Sequence, residues 1–178
     1  MTIATLSLTA CAKQKAPPAP PSAAPRPAEA IDVQGDSRPR TADATEDVLS
    51  GDLAAANEHA YRTGLLGDVY FEFDSASLHA DARERLSKNV EFLRAHPEFV
   101  VRIEGHCDER GTNDYNLALG GRRSEAAKDY AVSLGIGAAR LRTVSCGEEQ
   151  PACADAHESC WRRNRRARFV LIDRVGSP

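Results

Sequence analysis

Long apolar runs are missing: none of these 178 residues belongs to a stretch of the roughly 18 apolar residues that a bilayer-spanning helix needs. An excess of positive charge is missing too. Lys and Arg number 23 against 26 Asp and Glu, giving a formal net charge of -3 and a pI near 6.0, which argues against bulk binding of nucleic acid. Aromatic residues are scarce, at 6 %, and before Gly67 there is only Tyr61. Proline is the reverse, with seven of its ten residues between Pro17 and Pro39. A packed core therefore belongs to the second half, and no internal repeat is visible.

Five cysteines are present, at 11, 107, 146, 153 and 160. Four lie in the aromatic-bearing half, an even number that suits two disulfides in an oxidising compartment. Four cysteines allow three pairings; the expected one joins Cys107 to Cys146 across two strand ends and Cys153 to Cys160 around a loop. Chain entropy gives these about 4 and 2.5 kcal/mol respectively. The spacing of Cys153, His157 and Cys160, with His106 and Cys107 elsewhere, also invites a metal-binding or zinc-enzyme reading. Paired Cys-x2-Cys knuckles are absent, so disulfides are the favoured reading and no metal or other cofactor is expected.

The first eleven residues are mildly apolar and end in Leu8, Thr9, Ala10 and Cys11. These four resemble the lipobox of bacterial lipoproteins, in which the cysteine is lipidated and becomes the mature N-terminus. The basic segment that opens a secretory signal is missing, which implies a natural start upstream of Met1. Ala12, where an acidic residue would signal retention, resembles the address for delivery to the outer membrane. Residues 12–67 are rich in Pro, Ala, Asp and Ser and cannot bury enough apolar surface to offset their ordering entropy. They are expected to form a tether spanning roughly 180 Å fully extended, or on the order of 40 Å as a coil. Within it, 43–62 has helical character, with Val48, Leu49, Leu53 and Ala56 near one face.

From Asp68 the texture changes. Residues 68–73 read as a strand dense in aromatic and β-branched residues. Leu86, Val90 and Leu93 recur at helical spacing over 80–96, ahead of Pro97. Residues 99–104 form a second strand, 113–134 a second helix with Gly135 past its end, 141–145 a third strand and 166–172 a fourth. The order β-α-β-α-β-(loop)-β over 68–174 predicts an α+β domain, a single mixed sheet covered by helices.

Two stretches carry the candidate function. Residues 105–116 leave a strand and turn into a helix, holding His106, Asp108, Glu109 and Arg110. On that helix Asn116, Leu119 and Arg123 are spaced by three and four and share one face. Arg123 can thus look back toward the strand end bearing Asp108. A carboxylate and a guanidinium converging on a cleft form a receptor for a zwitterion: the carboxylate takes an ammonium, and the planar fork takes a carboxylate in two parallel hydrogen bonds.

Residues 70–74 (YFEFD), 104–112 (EGHCDERGT), Tyr115, Asn116, Leu119, Arg123, the Gly147-Glu148 pair and 164–167 (NRRA) together resemble the OmpA-like C-terminal domain family. The tail and lipobox match its lipoprotein branch; the porin and flagellar-stator branches need membrane spans. The resemblance implies the ligand, the free zwitterionic end of meso-diaminopimelate in peptidoglycan stem peptides. It puts Asp108 on the ammonium, Arg123 on the carboxylate, Phe73 and Asp74 on the cleft wall, and Asn116 as a brace, with Leu119 beside it. It implies an outer-membrane lipoprotein facing the periplasm that tethers the membrane to the wall without catalysis. A second implied partner is a TolB-like periplasmic propeller protein, placing the chain in the Tol-Pal system of envelope integrity and cell division.

Spacing alone allows Asp108 and Arg123 to be an ordinary surface salt bridge. Phe73 by itself reads as a core residue with one exposed edge, and His106 as structural. The basic run 162–168 lacks interleaved aromatics beyond Trp161, so it reads as a solvated or wall-facing patch and not as a nucleic-acid site. The Gly120-Gly121 pair costs about 1 kcal/mol per glycine in a helix, which close approach to a ligand would explain.

Overall fold

A computed structural model describes residues 48–176. Cys11 and the tether up to residue 47 lie outside the described residues. The elements are α1 (Leu53–Arg62), β1 (Val69–Tyr70), α2 (Ala80–Ala95), β2 (Phe99–His106), α3 (Asn113–Ser133), a short 3-10 turn (Ala138–Arg140), β3 (Leu141–Gly147), α4 (Glu158–Asn164) and β4 (Arg166–Arg174). Four strands form one sheet in the order β1-β4-β2-β3, with β2 and β3 parallel and β4 antiparallel to both of its neighbours. This is the expected α+β architecture with a mixed sheet. Among the described residues no helix is long and apolar enough to cross a membrane.

Alternation along β2 decides which side each residue serves. Phe99, Val101 and Ile103 join Leu86, Val90 and Leu93 of α2, Ala127 and Ala131 of α3, and Phe169 and Leu171 of β4 in one apolar core. Helix α3 begins at Thr112, whose hydroxyl accepts from the Tyr115 N–H at 3.3 Å. It ends where Gly135 turns to a φ of 97°, with the Ile136 N–H returning to the Ala131 carbonyl.

Helix α3 lies close on the sheet because of glycine. A Cβ built on Gly105 of β2 would stand 1.8 Å from the Gly120 carbonyl oxygen, and one on Gly120 would stand 2.4 Å from Ser145 Oγ. A Cβ on Gly121 meets nothing within 4 Å. The expectation that the glycine pair serves ligand approach is thus corrected: Gly120 serves backbone contact between helix and strand, and Gly121 faces open space.

The fold also begins earlier than residue 68. Leu49, Ala56, Ala60 and Leu66 are buried in the core, so this end of the expected tether is structural. Strand β1 pairs only two residues with β4, which leaves further β4 groups at the edge. Helix α1 satisfies them: Asn57 exchanges two 2.8 Å hydrogen bonds with the Leu171 backbone, and Tyr61 Oη accepts from the Phe169 N–H. Covering an open edge in this way requires side chains at the right reach, which composition does not reveal.

Candidate functional site

Where β2 leaves the sheet and α3 begins, a cleft of about 190 Å³ opens. Asp108, Arg123, Phe73, Asp74, Asn116 and Leu119 all line it, joined by Cys107, Arg110, Gly111 and Tyr115. The structure thus gathers all six sequence-derived site residues into one place. What each one does there differs in several respects from the expectation.

Arg123 is fully buried. Its Nε donates to the Ser75 carbonyl at 2.8 Å, and its Nη2 to the Glu72 carbonyl at 3.0 Å. Nη1 donates to the His106 carbonyl at 2.8 Å and to Cys107 Sγ at 3.3 Å. Four of its five N–H groups are therefore engaged, leaving one on Nη2. The two-bond fork expected for a ligand carboxylate is not free. Instead the guanidinium clamps the two carbonyls flanking Phe73 and Asp74 and so presents those residues to the cleft. Among the described residues no carboxylate lies within ion-pair distance of Arg123. Burial lowers its pKa, countered in part by Cys107 and Asp108. Among the described residues it is a buried cation with no carboxylate in contact, Asp108 acting on it only at longer range.

Asp108 is also buried, which excludes the surface salt bridge. Its Oδ2 accepts from Arg110 Nη2 at 2.7 Å and from Arg165 Nη1 at 3.0 Å. Burial pushes its carboxyl pKa up, but the bonds from Arg110 and Arg165 outweigh that and hold it below the usual range. Arg165 is itself buried and fixed, donating also to the Phe71 carbonyl at 3.1 Å and to Glu158 at 2.7 Å. Arg110 is half-buried. Its guanidinium lies between the rings of Phe73 and Trp161, 4.1 and 4.3 Å from their centroids.

Phe73 is 56 % exposed, a rim residue and not a core one. Asp74 adopts a φ of 53°, the only described non-glycine residue in the left-handed region, and its carboxylate accepts from the Tyr115 hydroxyl. Asn116 is buried and braces the loop by donating to the carbonyls of Asp108 and Arg110 and to Glu148 at 2.6 Å. Arg110, Arg165 and Tyr115 stand in the stretches that carry the resemblance but had no expected role in the site. Arg165 lay in plain sight within 164–167, but the run was read as a solvated patch. Arg165 and Arg166 are in fact buried, at 2 % and 4 % exposure.

The cysteines divide differently from the expectation. Cys153 and Cys160 form the disulfide, closing the loop that carries α4. Their thiols are consumed, which removes the metal reading of Cys153, His157 and Cys160. Cys107 and Cys146 are free and buried, so the expected bridge between them does not form. The reason is strand alternation. Cys107 faces α3, where its thiol reaches the Asn116 carbonyl, while Cys146 groups with Glu104 and His106. Burial raises both thiol pKa values.

Comparison with known proteins then places these features. The family model described as the OmpA family matches residues 70–166. The chain is 46 % identical over 107 residues to the peptidoglycan-associated lipoprotein of Brucella melitensis, covering 60 % of this chain and 64 % of that one. It is 38 % identical over 122 residues to the protein of the same name from Agrobacterium fabrum, covering 68 % and 69 %. The crystal structure of the peptidoglycan-associated lipoprotein from Burkholderia pseudomallei superposes with a TM-score of 0.57 at 41 % identity, over 59 % of this chain and 89 % of that one. The match thus spans a little under two thirds of the Brucella relative.

Proposed function

We propose that this chain, which belongs to the OmpA family on its peptidoglycan-associated lipoprotein branch, binds peptidoglycan non-covalently and tethers the outer membrane to the wall. The observation that carries this reading is Arg123, a buried guanidinium at the cleft with no carboxylate in ion-pair contact among the described residues. A ligand carboxylate supplies the missing charge through the free Nη2 N–H and the local field, in a site sheltered from water. Asp108 takes the ligand ammonium when Arg110 swings out from between Phe73 and Trp161 and gives up its Nε and Nη2 bonds to the carboxylate. Arg165 stays and keeps the carboxylate oriented.

The ligand with both groups on one carbon is the zwitterionic end of a diaminopimelate stem peptide. Binding is by equilibrium capture and weakens with salt, because the charged ligand must leave an ion-screened solvent to pair with the site. The module needs no catalytic step. Lipidation at Cys11, placement in the outer membrane facing the periplasm, a TolB-like partner and a role in the Tol-Pal system complete the proposal. These parts rest on sequence resemblance.

The test is sedimentation of the full chain with insoluble diaminopimelate-type peptidoglycan, with and without free meso-diaminopimelate. Wild type is expected in the pellet and is released by the free amino acid. Asp108→Asn, which keeps the shape, is expected to bind at least about 30-fold more weakly, the lower end for removing one member of a desolvated charge pair. A folded wild type that stays in the supernatant refutes the reading.

A further inference from the structure

The face of β2 and β3 turned away from the core cluster carries a set of groups that wall binding does not use. Alternation puts Arg102, Glu104 and His106 of β2 on it. The register of β2 against β3 slips between Gly105, opposite Ser145, and His106, opposite Gly147, so Cys146 is the extra residue of a bulge. Alternation along β3, where Thr143 and Ser145 turn to α3, puts the Cys146 thiol on that same face. Glu104, His106 and Cys146 each offer a donor atom, all within 4.8 Å of one another, and all three residues are buried.

Two further facts point to a ligand. His106 is 1 % exposed, yet neither ring nitrogen has a hydrogen-bond partner, and its Nε2 lies 3.7 Å from Glu104 Oε2, too far for a hydrogen bond. Glu104 Oε1 is held by Arg102 at 2.7–2.9 Å, which leaves Oε2 facing the histidine. The 3.7 Å between the His106 and Glu104 donors matches an edge of a tetrahedron around an ion bound at about 2.0–2.3 Å, and the Cys146 sulfur, within 4.8 Å of both, closes on it by a side-chain shift of at most about 1 Å.

We propose that Glu104, His106 and Cys146 form a binding site for a divalent d-block cation of the zinc class. Imidazole, thiolate and carboxylate are the donor types that favour Zn²⁺ over Mg²⁺ or Ca²⁺. Three protein donors leave a fourth position for water. Thiolate and carboxylate together balance the charge of the dication, which matters because Arg102 and Arg166 stand close to Cys146. The ion ties the end of β2 to the bulge of β3. It is a site separate from the cleft, although the His106 carbonyl is the one that Arg123 holds. The set is also distinct from Cys153, His157 and Cys160, whose thiols are spent in the disulfide.

The experiment uses the full chain with its disulfide intact, freed of metal by chelator and then titrated with Co²⁺ and, in competition with a chromophoric chelator, with Zn²⁺. One equivalent is expected to bind, Co²⁺ giving the thiolate-to-metal charge-transfer band. Cys146→Ser, a one-atom change, is expected to abolish that band and weaken Zn²⁺ at least about 100-fold, more than loss of an outer-shell partner does. Zn²⁺ is also expected to raise the Tm of wild type and not of Cys146→Ser, a readout independent of wall binding. Absence of a charge-transfer band in folded wild type overturns the proposal, as does a band that survives in Cys146→Ser.

Discussion

Replacing Arg123 by leucine tests the most consequential difference between expectation and structure. As a ligand contact alone, the side chain would cost binding and leave stability untouched. The structure has it donating to the carbonyls of Glu72, Ser75 and His106. Leaving a buried acceptor unpaired costs about 1–3 kcal/mol. The Glu72 and Ser75 carbonyls sit in a loop where water can reach them, so about 1 kcal/mol each is appropriate, and about 2 for the His106 carbonyl. The sum, about 4 kcal/mol, is a large part of the 5–15 kcal/mol that holds an ordinary domain together. With a urea m-value of about 2 kcal/mol/M, the midpoint of unfolding should fall by roughly 2 M. Arg123→Lys keeps the charge and some of the bonds and should fall between. A leucine variant whose midpoint stays within about 0.3 M of wild type, with unchanged m, would refute the clamp. If the drop is found, loss of wall binding in that variant reports the collapse of the Phe73–Asp74 loop as well as the lost charge.

Other outcomes follow from the same geometry. Phe73→Ala removes an exposed ring and should shift stability by less than about 0.5 kcal/mol, while weakening sedimentation with peptidoglycan. Gly120→Ala should destabilise by about 1–3 kcal/mol because its Cβ meets backbone, whereas Gly121→Ala should stabilise by about 0.5–1; urea midpoints of both decide. Because Asp108 has a depressed carboxyl pKa when folded, its contribution is complete above the unfolded value near 3.9 and is lost as pH falls through the folded one. The stability gap between wild type and Asp108→Asn should therefore be constant from neutral pH down to about 5 and close below about 4. Peptide mapping of the oxidised protein should find Cys153 joined to Cys160 and both Cys107 and Cys146 alkylated only after denaturation; reduction should cost about 2.5 kcal/mol.

The sequence by itself determined most of the elements, because periodicity and end signals are local. The stripe of Leu86, Val90 and Leu93, with Pro97 and Gly135, set α2 and α3 nearly to the residue, whereas the strand expected over 68–73 pairs only at Val69–Tyr70 and the expected loop before β4 holds α4. A helical spacing of three and four also placed Asn116, Leu119 and Arg123 on one face wherever the helix packs, while Phe73 and Asp74 entered the site list through the family resemblance. Only the tertiary structure decided what those residues touch. Hydrogen bonds from Arg123 to Glu72 and Ser75 bridge 48 to 51 positions of chain, and no local pattern encodes them. The same holds for Arg165, whose burial comes from Phe71 and Asp108 closing over it, so a basic run that looks solvated is half interior. The cysteine pairing turned on one bit of information, the side of the sheet each thiol faces. Alternation sets that side once the register of β2 against β3 is fixed, and register arises from how two strands meet, not from either strand alone.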